Sequence, residues 1–262
     1  PPLPAQHCRT GHMMSSGQFP LPAPMEEAFA RADTLVVEVD ITRGEEIAEI
    51  PEAAAGMYYE GKTLLDALPP ATLQKTEEVF RELGLPLVMF SSFRPWVISS
   101  TIVQFRMEQL GFTAELGLDY YFLKKAYDTG KPVKQLETAL SQVEMMNSIP
   151  EELQIAMLED SLIPLDEFES ELHRMFTAWE NGDTQAMTAL LAESDFSGSG
   201  NEKLNAILLT TRNKSMAGTI EELLTSGSSY FIVIGAGHLV GSGSVLEELE
   251  ILGYPSSRYP GE

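Results

Sequence analysis

Residues 230–244, YFIVIGAGHLVGSGS, run from an apolar segment into a glycine-rich turn that carries a single imidazole, His238. Near the other end of the chain, TLVVEVD at 34–40 sets Glu38 inside an otherwise apolar run. An imidazole in such a turn can fill a core, border a phosphate cradle, or ligate a metal. GAGHLVG superficially fits a dinucleotide fingerprint. That motif, however, needs a following helix, a further strand and an acidic residue some twenty positions on, and the chain stops 25 residues after Gly237. A metal reading needs partners: two or three His, Asp or Glu side chains converging with a position left open for water. Four histidines are available. His173 lies on an acidic helical segment and reads as surface, and His7 sits in a proline-rich terminus. His12, in RTGHMMSSGQFPLP, occupies a turn comparable to that of His238. Gly235 and Gly237 allow tight backbone geometry and leave space around the ring, which a core filler does not require.

Glu38 needs a partner too, because an unpaired carboxylate among valines costs several kcal/mol and either protonates or finds a cation. Arg94 and Arg212 are the candidate cations. A structural salt bridge to one of them satisfies Glu38 as well as a catalytic role does.

The elements that must position these groups are legible in outline. The segment LPAPMEEAFARAD reads as a helix with Pro24 in its first turn and Glu26 and Glu27 at its positive end, and TLVVEVD follows as a strand. Residues 41–62 form a connection rich in Gly, Pro and Glu. Helix signals come next at TLLDAL and at PPATLQKTEEVFRELGL, which Gly84 stops. PLVMF reads as a short strand, RPWVISSTIVQFRMEQLG as a helix ending at Gly111, DYYFLKKAYDTG as a short helix, and KPVKQLE as a strand. From Thr138 to about Leu224 the pattern is helical, with breaks at NSIPEE, SLIPLD, WENGDT and DFSGSGN. SSYFIVIG then returns to strand, and SVLEELEILG closes with a helix. Strands at both ends with helices between them predict an α/β (α+β) fold: one domain over 1–262, with a central mixed sheet built from the N- and C-terminal segments and a mostly helical subregion inserted at about 138–226. His238 and Glu38 would then meet at one sheet edge.

Composition narrows the partners. The chain has 262 residues and a formal charge of −22. Without Lys/Arg clusters to displace counterions, it is not built for nucleic acid. Twelve Asp and Glu fall within 151–200 against one base, Arg174. This is a solvated helical face, or else a docking surface for a cationic partner. No run approaches the roughly eighteen apolar residues of a spanning helix. One cysteine, Cys8, excludes an intramolecular disulfide framework and any multi-cysteine metal site.

Taken together, HMMSSGQFPLPAPMEEAFARADTLVVEVD, FRPW at 93–96, GLDYYFLKKAYDTGKPVKQLET at 117–138, TTRNKSM at 210–216 and FIVIGAGHLVG at 231–241 resemble the TraB/PrgY/GumN family. That group includes the Tiki metalloproteases and is distantly related to erythromycin esterase and ChaN-like proteins. The resemblance covers nearly the whole chain. Family members carry two Gly-x-x-His motifs and a Glu on the strand after the first. The second motif is intact as Gly235-Ala236-Gly237-His238. The first departs from the pattern, reading Arg9-Thr10-Gly11-His12 where the family has Gly-Thr-x-His, with no apolar strand before it. The resemblance implies a metal-dependent hydrolase acting on a peptide or protein substrate with manganese or cobalt, or zinc. His12, Glu38 and His238 would hold the ion, Glu38 also serving as a base, while Arg94 or Arg212 steadies the oxyanion. It also implies an extracytoplasmic location; oligomeric state is left open. Asp119 and Glu137 are family-marked carboxylates that a helix N-cap and a strand-end hydrogen bond also explain; Trp96 and Tyr120 read as core or pocket wall. With a degenerate first motif, the same pocket would instead make a non-catalytic peptide- or haem-binding protein.

Overall fold

The computed structural model describes residues 8–10, 13–43, 55–193 and 199–257. Four strands form one sheet in the order β1-β4-β2-β3, where β1 is Cys8–Thr10, β2 Thr34–Val37, β3 Val133–Gln135 and β4 Tyr230–Gly235. Every pairing is parallel. The sheet does join the two chain ends, but the expectation of a mixed sheet is corrected among the described strands. Helical crossovers separate the neighbours in sequence, and such connections return each strand in the same direction.

The residues of β2 and β4 alternate between two helical layers. Leu35, Val37, Phe231 and Val233 face a cluster with Phe29 of α1 (Ala23–Arg31) and Phe122 of α5 (Leu118–Thr129). Val36, Ile232 and Ile234 face Met216, Ala217 and Ile220 of α11 (Thr211–Leu224), with Val245 and Leu249 of α12 (Val245–Ile251). Burial on both faces explains why these strands read as continuous apolar runs rather than alternating ones. Pro24 lies in the first turn of α1, Glu26 near its positive end and Arg31 in its last turn, as the helix dipole favours.

The helices expected at TLLDAL, PPATLQKTEEVFRELGL and RPWVISSTIVQFRMEQLG form ahead of the helical subregion. α2 (Leu64–Ala67), α3 (Pro70–Glu82), α4 (Pro95–Gln109) and α7 (Glu151–Ser161) share a separate core of Leu64, Phe80, Ile98, Ile102 and Leu158. The strand expected at PLVMF is instead a 3-10 turn, Leu87–Phe90, with Val88 and Met89 70% and 72% exposed. Among the described residues no strand lies alongside to pair with it, so its apolar character does not become a buried ladder. Between β3 and β4 lie α6 (Ala139–Ser148), α7, α8 (Leu165–Glu180), α9 (Thr184–Glu193) and α10 (Ser199–Asn205). α10 passes through a π-helical turn, Ala206–Thr210, into α11. Trp179 of α8 and Leu190 and Leu191 of α9 pack with Ala236 and Val240, so this helical pair covers the glycine turn after β4. No helix of the described residues is long and apolar enough to cross a membrane.

Candidate functional site

β2, β3 and β4 deliver their following residues to one edge of the sheet, the C-terminal edge where open parallel sheets gather binding groups. Glu38 follows β2 directly, Glu137 comes two residues after β3, and His238 three residues after β4. The main chain fixes their register: Glu38 N–H donates to the Val233 carbonyl at 3.1 Å, and Glu137 N–H to the Glu38 carbonyl at 2.9 Å. β1 runs beside β4 with Thr10 opposite Gly235. This short edge strand takes in Arg9 and Thr10 of RTGH. Its signal was hidden because Cys8, Arg9 and Thr10 are not an apolar run. His7, Gly11 and His12 lie outside the described residues.

The Glu38 carboxylate is buried, 5% exposed, and held from several sides. Oε1 accepts from Arg212 Nη2 at 2.5 Å and from Gln142 Nε2 at 2.9 Å. Oε2 accepts from the Gly235 backbone N–H at 3.1 Å and faces His238 Nε2 at 3.8 Å. The apolar strands thus do what burial of a carboxylate demands and surround it with donors. Arg212 also grips Glu137 with a two-pronged fork, Nε to Oε1 at 2.8 Å and Nη2 to Oε2 at 2.6 Å, the geometry that suits a guanidinium to a carboxylate. Gln142 Nε2 reaches Glu137 Oε2 as well, at 3.1 Å, and ties the two carboxylates together. Burial works against the Arg212 cation, but the Glu137 hydrogen bonds and the charges of Glu38 and Glu137 outweigh it, and the guanidinium holds its proton more firmly than usual.

The π turn helps place Arg212. Thr211 N–H bonds to the Ala206 carbonyl, five residues back, and Arg212 Nη1 donates to the Leu208 carbonyl at 2.9 Å. Such single π turns inside longer helices often sit at functional sites.

His238, 4% exposed, is oriented from behind. Its Nδ1 lies 2.5 Å from Asn213 Oδ1, and Asn213 Nδ2 donates to the Gly243 carbonyl at 2.7 Å. Gly243 has φ +70°, where L-residues are strained, which is why glycine recurs in GSGS. Gly237 passes within 3.5 Å, measured from where a Cβ would stand, of the Leu209 side chain, so the turn packs close beneath the π segment.

Glu38, Arg212 and His238 are therefore brought together from positions spread over 200 residues. Arg94 is not part of their contacts. It caps α4, its Nε donates to the Tyr58 carbonyl at 3.3 Å, and its guanidinium lies over the Tyr59 ring at 6.0 Å. The choice left open for the Glu38 cation falls to Arg212. Glu137 proves to be half of the Arg212 fork rather than a strand-end hydrogen bond. Asp119 lies within the first turn of α5, whose cap is Gly117. Trp96 is buried and donates to Asn147 Oδ1 at 3.1 Å, as a wall residue does. His173 is exposed on α8, as expected. Gln142 and Asn213 were missed: neutral amides leave no mark in charge patterning, although Asn213 adjoins Arg212 in TTRNKSM.

A model of the TraB/PrgY/gumN family matches residues 10–258. The chain belongs to this family. Its relatives include the uncharacterized protein YbaP of Escherichia coli (strain K12) and YbaP of Shigella flexneri. Each is 28% identical over 239 residues, spanning 91% of this chain and 84% of the relative. No solved structure matches the chain significantly. The family match spans Glu38, Glu137, Arg212 and His238 together, so the sheet-edge cluster lies wholly within the shared domain.

Among the described residues, no group of three or more His, Cys, Asp or Glu is placed to hold an ion. Glu38 and His238 supply two donors, and the third expected ligand, His12, is outside those residues. The two donors fit an ion in spacing and chemistry. Bonds of about 2.0–2.2 Å from a carboxylate oxygen and an imidazole nitrogen can span a gap of this size. The Asn213 contact on the far ring nitrogen is the usual outer support of a ligating histidine.

Proposed function

We propose that this chain is a metal-dependent hydrolase of peptide or amide bonds, working at the C-terminal edge of its sheet. One observation carries the reading. Glu38 Oε2 and His238 Nε2 face each other at 3.8 Å, while Arg212, Gln142, the Gly235 N–H and Asn213 hold the two groups in that attitude. Glu38 and His238 would hold a divalent ion, manganese or cobalt or zinc, with His12 as the third ligand. When bound, the ion supplies Lewis-acid activation of water and of the scissile carbonyl.

The protein's own residues divide the remaining work. Glu38 is the carboxylate positioned to take a proton from the attacking water. Arg212 and Gln142 hold its Oε1, which keeps the group charged and turns Oε2 toward His238. In this reading Arg212 is a positioning residue, since Nε, Nη1 and Nη2 are all engaged with Glu137, Leu208 and Glu38. Two carboxylates against one guanidinium leave an excess negative charge facing the imidazole, and a cation beside His238 balances it.

The test is titration of metal-depleted protein with Mn2+, Co2+ and Zn2+ by calorimetry, in parallel with His12→Ala, Glu38→Ala and His238→Ala, alongside hydrolysis of a quenched-fluorophore peptide library with and without chelator. The reading requires ion binding that weakens in the variants and cleavage that stops in chelator. Ion binding indifferent to all three substitutions, or cleavage that survives chelation, refutes it. Ion binding with no cleavage would make the chain a binding protein instead.

A further inference from the structure

The contacts behind His238 form a short relay that starts at the main chain. Gly243 presents its carbonyl, an acceptor with no donor capacity, to Asn213 Nδ2 at 2.7 Å. That contact decides which way the Asn213 amide faces, because the reverse orientation would set two oxygens against each other. Oδ1 is then the atom that meets His238 Nδ1 at 2.5 Å, and an oxygen there requires a proton on Nδ1. Both side chains are buried, at 3% and 4% exposure, so water does not compete for these bonds. Nε2, the other ring nitrogen, is the one turned to Glu38 Oε2.

We propose that Asn213 is a positioning residue that holds the His238 proton on Nδ1 and thereby presents Nε2 to Glu38 as a lone-pair donor. A neutral imidazole ordinarily distributes its proton between the two nitrogens; the relay removes that freedom before any ion arrives. The tautomer follows from the Gly243–Asn213–His238 geometry alone, whereas its use in ion binding rests on the hydrolase reading. The left-handed backbone at Gly243 acts at the start of the relay, since it sets the direction of the carbonyl.

The experiment is long-range 1H–15N correlation NMR on metal-free protein labelled with 15N-histidine, recorded across pH so that the neutral ring is observed. The His238 signals are assigned by their loss in His238→Gln. In the wild type, the neutral His238 ring should show a protonated Nδ1 and a pyridine-like Nε2. Asn213→Leu removes the acceptor and should yield a mixture of tautomers, with Mn2+ affinity falling about 10- to 100-fold, the usual cost of losing such outer support. Asn213→Asp retains an acceptor toward Nδ1 and should keep the proton there, at a cost in thermal stability because its other oxygen meets the Gly243 carbonyl. A wild-type ring protonated on Nε2 overturns the proposal without any variant, and so does Asn213→Leu with an unaltered single tautomer. Wild-type protein with the expected tautomer but no affinity for Mn2+, Co2+ or Zn2+ would retain the relay and refute the hydrolase reading.

Discussion

Removing the Arg212 cation tests the electrostatics of the site most directly. In Arg212→Met the stem is replaced by an apolar chain of similar reach, and Glu38 and Glu137 lose their shared counter-ion. The three side chains are 15%, 7% and 13% exposed, so the pairs at 2.5 and 2.6 Å belong with buried ion pairs, not surface ones. Breaking such a pair from one side costs about 3–5 kcal/mol, chiefly from the charge left behind. Lys62 and Glu151 offer the comparison within the same molecule: 2.7 Å apart but about two-fifths exposed, at 41% and 40%, they contribute about 0.2–1 kcal/mol. Urea denaturation followed by circular dichroism at pH 7 should give Arg212→Met a loss several times that of Lys62→Met. With a slope of about 3 kcal/mol per molar urea, its midpoint falls by roughly 1–1.7 M. Arg212→Lys should lie between, losing about 1.5–3 kcal/mol, because a single ammonium cannot reproduce the fork on Glu137. The guanidinium pKa is raised in the fold, so its contribution is fully present below its ordinary value and persists through all working pH. A deficit below about 1 kcal/mol at pH 7, matching Lys62→Met, would refute the reasoning.

Further outcomes follow from other parts of the molecule. Glu26, bonded by Lys125 and Tyr121, is partly desolvated by burial, but those hydrogen bonds prevail and its pKa lies below the ordinary 4.5. Its contribution is therefore present above 4.5 and lost as pH falls through the depressed value; Glu26→Gln should cost about 0.5–1 kcal/mol at pH 7 and nothing at the acid end of a denaturation series. Phe122→Ala, which empties the space between Phe29 and Phe231 at ring separations of 5.1 and 4.7 Å, should cost about 3–5 kcal/mol by the same assay. Gly130→Ala and Gly243→Ala meet no backbone clash but force φ near +70°, and each should lose about 1–2 kcal/mol. Only Gly243→Ala should also weaken Mn2+ binding in calorimetry, since only its carbonyl orients Asn213.

Much of this architecture is legible in the sequence where one rule dominates. TLVVEVD and SSYFIVIG are legible as strands from their β-branched, apolar residues, and burial on both faces accounts for the continuous apolar pattern of TLVV and YFIVIG. A carboxylate at Glu38 had to have partners, and burial supplied them. Legibility failed where the outcome depended on distant geometry. PLVMF has the composition of a strand, but among the described residues no sheet edge pairs with it. Arg94 and Arg212 are equivalent as charges, and only the fold shows that one caps α4 while the other enters the sheet edge. Gln142 and Asn213 act through orientation rather than charge, which no local pattern encodes. β1 escaped because an edge strand of three residues needs no apolar period once β4 supplies its ladder.

The place of β4 has a consequence for how the protein is born. It is the last of the described strands to leave the ribosome, yet it sits between β1 and β2, so the earlier strands wait for residues 230–235 before either can complete its ladder. Until then Leu35, Val36 and Val37 lack their cover, and the nascent chain presents a sticky, unpaired edge that a chaperone would shield. The same order of assembly keeps Glu38 and His238 apart until β4 and the turn after it have been made.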